Sequence, residues 1–265
     1  MHMPDHLLSP TEAIVGGVAA AALIAVAVVK TKRNATRSTL PMMAILGTFV
    51  FAAQMLNYAV PYADCSGHML GGILLASLLG PWAGFLTLSA VVAVQALFFA
   101  DGGLAVMGAN ILNMAAIGCL VVYPLVFRRL LGTSRNPLRM VGISTLACAV
   151  ATTLGAVAVV IENALAGGTT ALAFGPFMQS MVPIHIAIGA IEGVATGLIL
   201  WAVSHSHAAL LDFNRLNGRA EEHSPARVMV AFAIGAILLG LGLSNFASTA
   251  PDGLEWSIQE LSIKN

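Results

Sequence analysis

Long apolar segments, separated by a small number of charges, are the feature that most limits what this 265-residue chain can fold into. The hydrocarbon core of a bilayer is about 30 Å thick, and about 20 apolar residues of α-helix cross it. Only 9% of the residues are charged, against about 25% in soluble domains. These properties exclude an ordinary soluble enzyme and predict an all-α polytopic membrane protein.

The apolar segments predict a bundle of about seven transmembrane helices followed by one C-terminal helix. The predicted spans are residues 13–29, 42–60, 69–100 in two parts, 104–127, 141–161, 177–203 and 228–243. The segment 69–100 is too long for one helix, and the Gly80-Pro81 pair in its middle is typical of a turn. Because the first part is short and the turn carries no positive charge, a re-entrant hairpin is the alternative.

Basic residues predict the orientation of the spans. A cluster from Lys30 to Arg37 directly follows the first span, and the positive-inside rule makes that cluster cytoplasmic. The amino terminus is then outside. Two further basic clusters, within residues 128–139 and 215–227, fall on the same cytoplasmic side, which supports this topology.

The amino terminus is the most distinctive candidate binding site. Because His2 is not a small residue, the initiator Met1 is expected to remain and to present a free α-amine. The α-amine, the deprotonated main-chain nitrogen of His2 and its Nδ1 can close two fused chelate rings around one ion. A further imidazole completes a square plane of nitrogens that suits Ni(II) or Cu(II). The candidate is His68, which lies in the turn after the second span, on the outer side in the predicted topology. A frayed, solvated terminus is the alternative.

Four stretches of the chain resemble the CbiM and NikM proteins, the substrate-specificity membrane subunits of cobalt and nickel energy-coupling-factor transporters, and a fifth resembles their accessory subunit. The four spread over residues 1–205: MHMPD at 1–5, SGHMLGG at 66–72, FADGG at 99–103 with the residues up to Asn113, and HIAIG at 185–189 with the residues up to Gly193. The fifth, APDGLE at 250–255, resembles the signature of the accessory subunit, CbiN or NikN, which some members carry as a fusion.

The resemblance implies capture of Ni(II) or Co(II) at the outer face of a prokaryotic plasma membrane, with Met1, His2 and His68 as ligands. It implies no cofactor beyond the transported ion. The implied partners are a transmembrane coupling subunit and a pair of cytoplasmic ATPases. The chain itself has no GxxxxGK[ST] motif, so we expect ATP hydrolysis in the partners and no enzymatic activity here. Nickel and cobalt are not distinguished by the sequence.

The resemblance also predicts the domain organisation. Residues 1–205 are expected to form the metal-binding membrane domain, 206–226 a cytoplasmic linker, and 227–265 an accessory helix with a short external tail. The accessory part has one span where the family's separate subunit has two. His6 stands where glycine is common in the family, and we expect its side chain to face solvent.

Several polar residues near the outer ends of the spans have two interpretations each. Asp101 either hydrogen-bonds a ligating imidazole or neutralises the ion, or it caps a turn. Asn110 and Asn113 share a helix face and either orient the amino-terminal segment or join neighbouring helices. His185 and Glu192, two helical turns apart, either support the metal site or form a polar seam inside the bundle.

Small residues at Gly17, Ala21 and Ala25 form a stripe on the first span that allows close approach of another helix. In transporters of this type such a stripe docks the coupling subunit. Packing within the same chain is the alternative.

Two other functions are compatible with a polytopic membrane protein of this size. A membrane-embedded hydrolase finds no support, because the chain contains neither HExxH nor GxSxG. An autonomous proton-coupled transporter of a divalent metal, with Glu162, His185 and Glu192 relaying protons, remains the alternative function.

Overall fold

A computed structural model describes residues 1–61, 63–167, 172–212 and 225–263. The main helices are α1 (Pro10–Asn34), α2 (Thr39–Gln54), α3 (Gly72–Leu79), α4 (Pro81–Phe98), α5 (Met107–Leu131), α6 (Pro137–Ala166), α7 (Phe174–Ser206), α8 (Ala226–Leu243) and α9 (Gly253–Ile263). A short antiparallel ribbon pairs β1 (Tyr58–Ala59) with β2 (Ser66–Gly67). Within the described residues, six helices (α1 and α4 to α8) are long and apolar enough to cross a membrane. The predicted all-α membrane class is therefore confirmed.

The predicted segment 69–100 is indeed two helices, but the first of them is not a span. Gly80 adopts φ 84° between α3 and α4, and Pro81 is the first residue of α4, where its missing N–H costs nothing. At eight residues, α3 is about 12 Å long. Its side chains are buried within the protein, which explains why its composition is as apolar as that of a lipid-facing helix.

The α6–α7 pair is the most extensive helix contact, and three glycines of α7 permit it. Gly189, Gly193 and Gly197 recur at four-residue spacing on the face that meets α6. A Cβ at any of them would overlap main-chain atoms of α6; at Gly197 it would lie 2.5 Å from the Cα of Val141. Close backbone approach at small residues is the common way in which membrane helices pack.

The small-residue stripe predicted on α1 is only partly used inside the chain. Gly17 packs against α5, since a Cβ on Gly108 would lie 2.5 Å from the Cα of Gly17. Ala21 and Ala25 are exposed. Internal packing therefore uses mainly another face of α1, which includes the buried Ala20.

The C-terminal part of the chain packs against earlier helices of the bundle. Helix α8 packs on α2, and α9 packs on α7. The predicted polar external tail is in fact an amphipathic helix whose Leu254 is fully buried. Most of the predicted linker, residues 213–224, lies outside the described residues.

Candidate metal site

The amino-terminal segment lies inside the end of the bundle. Met1 and Met3 are 4% and 0% exposed. Asn110 on α5 holds Met3 at two points: its Oδ1 accepts from the Met3 N–H at 2.9 Å, and its Nδ2 donates to the Met3 carbonyl at 3.2 Å. The Gly103 N–H donates to the same carbonyl at 2.8 Å. The terminus is thus ordered, and the frayed alternative does not hold.

Further contacts fix the residues on either side of the Asn110 clamp, the two hydrogen bonds between Asn110 and the main chain of Met3. The side chain of Met1 enters a gap beside α6, where a Cβ on Gly155 would lie 2.6 Å from its Cε. Downstream, Asp5 Oδ1 accepts from the Ala105 N–H at 2.8 Å, and Asn163 Nδ2 donates to the Leu7 carbonyl at 2.9 Å. The position of the α-amine is therefore determined by three different helices or loops. His6 is exposed, as the sequence predicts.

The Met1 α-amine and His68 lie next to each other. The amine nitrogen is 3.0 Å from Nε2 of His68, and both residues are buried. Two nitrogens that each lie about 2.0 Å from one ion at a right angle are about 2.8 Å apart. The observed separation therefore fits two adjacent ligands of a square plane.

The His2 ring has an acceptor oxygen next to each of its nitrogens, and its neutral form donates to one of the two. Nδ1 lies 3.1 Å from Oδ1 of Asp101, and Nε2 lies 3.2 Å from Oε1 of Gln95. The ring stacks on that of His68, with centroids 5.4 Å apart and planes at 22°. Of the two interpretations of Asp101, the structure favours the contact with a candidate ligand.

The main chain of His2 is also placed for ligation. His2 is 6% exposed, and its main-chain N–H makes no hydrogen bond to any other described residue. Buried main-chain N–H groups without a partner are rare in native structures. In the described part of the chain, no three His, Cys, Asp or Glu side chains converge as a metal site would require. Side chains of these four types alone therefore do not form a metal site in the described part of the chain.

Glu192 of α7 holds the loop that carries His68 through two main-chain hydrogen bonds. The two carboxylate oxygens of Glu192 accept from the N–H groups of Leu70 and Gly71, at 3.0 and 2.9 Å. Gly71 has φ 81°, a conformation that side chains disfavour. Glu192 thus positions the His68 loop rather than facing the candidate site itself.

The remaining predicted support residues divide between the two interpretations. His185 lines the small cavity beside Met1 and His68, and its Nδ1 is hydrogen-bonded to the Met181 carbonyl at 2.8 Å. Asn113 donates to Glu162 of α6 at 2.8 Å. Asn113 therefore joins helices, whereas its neighbour Asn110 orients the terminus.

Asp252, in the tail, makes the shortest contact of the α-amine. Its Oδ2 lies 2.7 Å from the Met1 nitrogen, and its side chain is 14% exposed. Its other oxygen, Oδ1, accepts from the N–H groups of Leu254 and Glu255 at 2.8 Å each, while Glu255 reaches back to the Asp252 N–H at 3.3 Å. The sequence Asp-Gly-Leu-Glu is thus a capping box at the start of α9.

The tail is attached to the loop of His68 by the main chain. The Ser66 N–H donates to the Pro251 carbonyl at 2.8 Å, and the Ser66 hydroxyl donates to the Ala250 carbonyl at 2.8 Å. A Cβ on Gly253 would lie 2.8 Å from Cγ2 of Ile184, so a side chain there would displace Ile184 or the tail. These contacts place Asp252 at the amine.

Burial and charge set the protonation of the site. Burial, followed by the neighbouring α-amino charge, lowers the pKa of both His2 and His68 to about 3. Burial alone would raise the pKa of Asp252, but the α-amino charge, His68 and its hydrogen bonds hold that pKa below its ordinary value. At neutral pH the two imidazoles are therefore neutral, and the Asp252 carboxylate lies beside the amine.

Residues 2–210 match the family described as the cobalt uptake substrate-specific transmembrane region, CbiM. The chain belongs to the CbiM family. Residues 226–265 match the PDGLE domain, so the CbiM region is followed by the accessory sequence that contains Asp252.

Relatives of this CbiM-family chain are transport proteins from bacteria and archaea. The fused nickel transport protein NikMN of Rhodobacter capsulatus is 32% identical, over 99% of this chain and 77% of its own length. A putative fused nickel transport protein NikMN of Archaeoglobus fulgidus is 29% identical, over 96% of this chain and 84% of its own. A crystal structure of a transition metal transporter superposes with a TM-score of 0.69 at 31% identity, covering 82% of this chain and all of the other.

Two contacts of the candidate site involve residues that were not among the predicted site residues. The sequence shows Asp252 only as part of the accessory signature. Its contact with the site is visible only in the three-dimensional structure. Gln95, which faces Nε2 of His2, is a fully buried polar residue within the apolar α4. An isolated polar residue in a membrane span costs free energy. Its presence in α4 therefore indicates a functional role for Gln95 from the sequence alone.

Proposed function

We propose that this chain is the substrate-binding membrane subunit of an energy-coupling-factor transporter and captures Ni(II) or Co(II) at the outer face. The ligands are the Met1 α-amine, the main-chain nitrogen and Nδ1 of His2, and Nε2 of His68. The observation that carries this proposal is the 3.0 Å separation of the amine from His68, next to a buried His2 N–H without a partner among the described residues. On loading, Nδ1 of His2 exchanges Asp101 for the ion.

Nickel is the favoured substrate. Four nitrogens in a plane suit Ni(II). The fused nickel transport protein of Rhodobacter capsulatus matches 99% of this chain, including the tail, whereas the cobalt transport protein CbiM of Sorangium cellulosum matches 59%. The metal-free protein is expected to bind nickel more tightly than cobalt.

ATP-driven uptake requires a transmembrane coupling subunit and a pair of cytoplasmic ATPases as partners in the prokaryotic plasma membrane. The amino terminus then faces outside. Helix α1 is among the least buried of the spans, and its Ala21 and Ala25 are exposed. Although the main chain of Gly17 packs against α5, a Cβ on Gly17 would meet nothing within 4 Å. On that open side, Gly17 joins Ala21 and Ala25 in a face that allows close contact with a helix of the coupling subunit.

The alternative, an autonomous proton-coupled transporter, has weaker support. Its relay would consist of Glu162, His185 and Glu192. Among the described residues no hydrogen bond joins any two of them: Glu162 accepts from Asn113, and Glu192 from the His68 loop. This alternative also gives the buried amino terminus no role.

Nickel uptake by cells tests the proposal. The chain would be expressed with and without a coupling subunit and ATPases, beside His2→Ala and His68→Ala, with His6→Ala as the matched control because His6 is exposed in the same segment. We expect uptake only with the partners, its loss in the first two variants and its retention in the control. Uptake that a proton gradient drives without the partners would support the alternative.

A further inference from the structure

The tail delivers a carboxylate to one particular atom of the candidate metal site. Asp252 lies 251 positions from Met1, yet its Oδ2 is 2.7 Å from the α-amine nitrogen. The same nitrogen is 3.0 Å from Nε2 of His68. The amine is therefore held between the tail and the imidazole.

Helix capping does not by itself explain an aspartate at this position. Capping of α9 uses only Oδ1, which accepts from the Leu254 and Glu255 N–H groups. Asparagine and serine cap helices about as well as aspartate. What they lack is the second, negatively charged oxygen, and in this structure that oxygen contacts the amine.

The anchoring of the tail makes this contact specific. Pro251 and Ala250 are hydrogen-bonded to Ser66, two residues before His68, so the tail and the imidazole are parts of one local structure. Leu254, in the first turn of α9, is fully buried. Asp252 is thus built into the site at a fixed distance from a ligand.

We propose that Asp252 is a positioning residue of the metal site, which holds the Met1 α-amine beside His68 and adds a negative charge where the cation arrives. This inference rests on the proposed function. Asp252 is not itself a ligand, because four nitrogens already complete the square plane. Its role is that of the carboxylates which orient metal ligands in other proteins, and whose loss typically lowers metal affinity by about 10- to 100-fold.

Anaerobic titration of the purified, untagged full chain with nickel, followed by calorimetry and visible absorption, tests this role. Asp252→Asn removes the charge at the amine and keeps a capping oxygen. We expect nickel to bind about 10- to 100-fold more weakly, with an unchanged absorption band at saturation because the ligands are unchanged. If this variant is unstable in detergent, Asp252→Ser keeps a capping oxygen and is expected to give the same result.

Glu255→Gln is the matched control. It removes one negative charge from the same capping box, but Glu255 contacts the Asp252 N–H and not the amine. We expect wild-type affinity. Equal affinities of wild type, Asp252→Asn and Glu255→Gln, or tighter binding by Asp252→Asn, would overturn the inference. A shifted band would also overturn it, since Asp252 would then be a ligand. Wild-type protein that binds neither nickel nor cobalt would instead refute the proposed function.

Discussion

Replacement of Asn110 by alanine is expected to weaken the docking of the amino terminus, and therefore nickel binding, more than it lowers the stability of the helix bundle. Asn110 makes two hydrogen bonds to the main chain of Met3, at 2.9 and 3.2 Å. After the change, the Gly103 N–H still satisfies the Met3 carbonyl, but the buried Met3 N–H loses its acceptor. The perturbation therefore acts on the segment that presents the proposed ligands.

The size of the effect follows from these two hydrogen bonds. At about 1 kcal/mol each, docking of the terminus loses about 2 kcal/mol, and about 1.4 kcal/mol corresponds to a tenfold change in affinity. Nickel affinity should therefore fall by up to about 30-fold. Asn113→Ala is the control, because its partner is Glu162 rather than the terminus.

The assay is nickel titration of both variants, with thermal unfolding of the metal-free proteins beside it. We expect weaker nickel binding by Asn110→Ala and near wild-type binding by Asn113→Ala. Equal nickel affinities for the two variants would refute the argument that the Asn110 clamp presents the ligands.

Two other predictions concern the same site. Gly155→Val should weaken nickel binding by about tenfold, which corresponds to about 1.4 kcal/mol, because a Cβ there would lie 2.6 Å from Cε of Met1 and 2.9 Å from the Asn113 carbonyl oxygen, so that both the Met1 side chain and α5 would shift. Gly142→Val, on the same helix with nothing within 4 Å of its Cβ, should bind like wild type. Nickel affinity should also fall as pH drops from 8 to 5, because the α-amine and the His2 main-chain nitrogen must lose protons to ligate. The two imidazoles, with pKa values of about 3, stay neutral over this range and add little, so an unchanged affinity at pH 5 would exclude a deprotonated main-chain ligand.

The membrane spans were predictable because hydrophobicity is a local property. There are two exceptions. Helix α2 has 16 residues and ends at Gln54, not at residue 60 as predicted, and it is not among the six helices long enough to cross a membrane. Helix α3 was predicted as a span because a helix buried in protein and a helix in lipid have the same composition. The turn at Gly80 was predicted, but the eight-residue length of α3 became evident only when the loop before Gly72 was located in space.

The candidate site was predictable as far as its chemistry is local. Met1 and His2 are adjacent, and a chelate follows from their atoms alone, with His68 added as an external imidazole. The contact of Asp252 with the amine was not predictable in this way, because it joins the two ends of the chain. In addition, capping of α9 is an ordinary role for an aspartate at position 252, so the sequence gives no reason to expect its contact with the α-amine.

The most direct test of the central claim is to add one glycine before Met1. The extension turns the α-amine into an amide but leaves every side chain of the site unchanged. Nickel titration of the purified protein, with its native amino terminus and with the extension, should show one ion bound per native chain with a square-planar absorption band, and loss of both in the extended chain. Full nickel affinity in the extended chain would contradict the account, because the amino terminus would then not be a ligand.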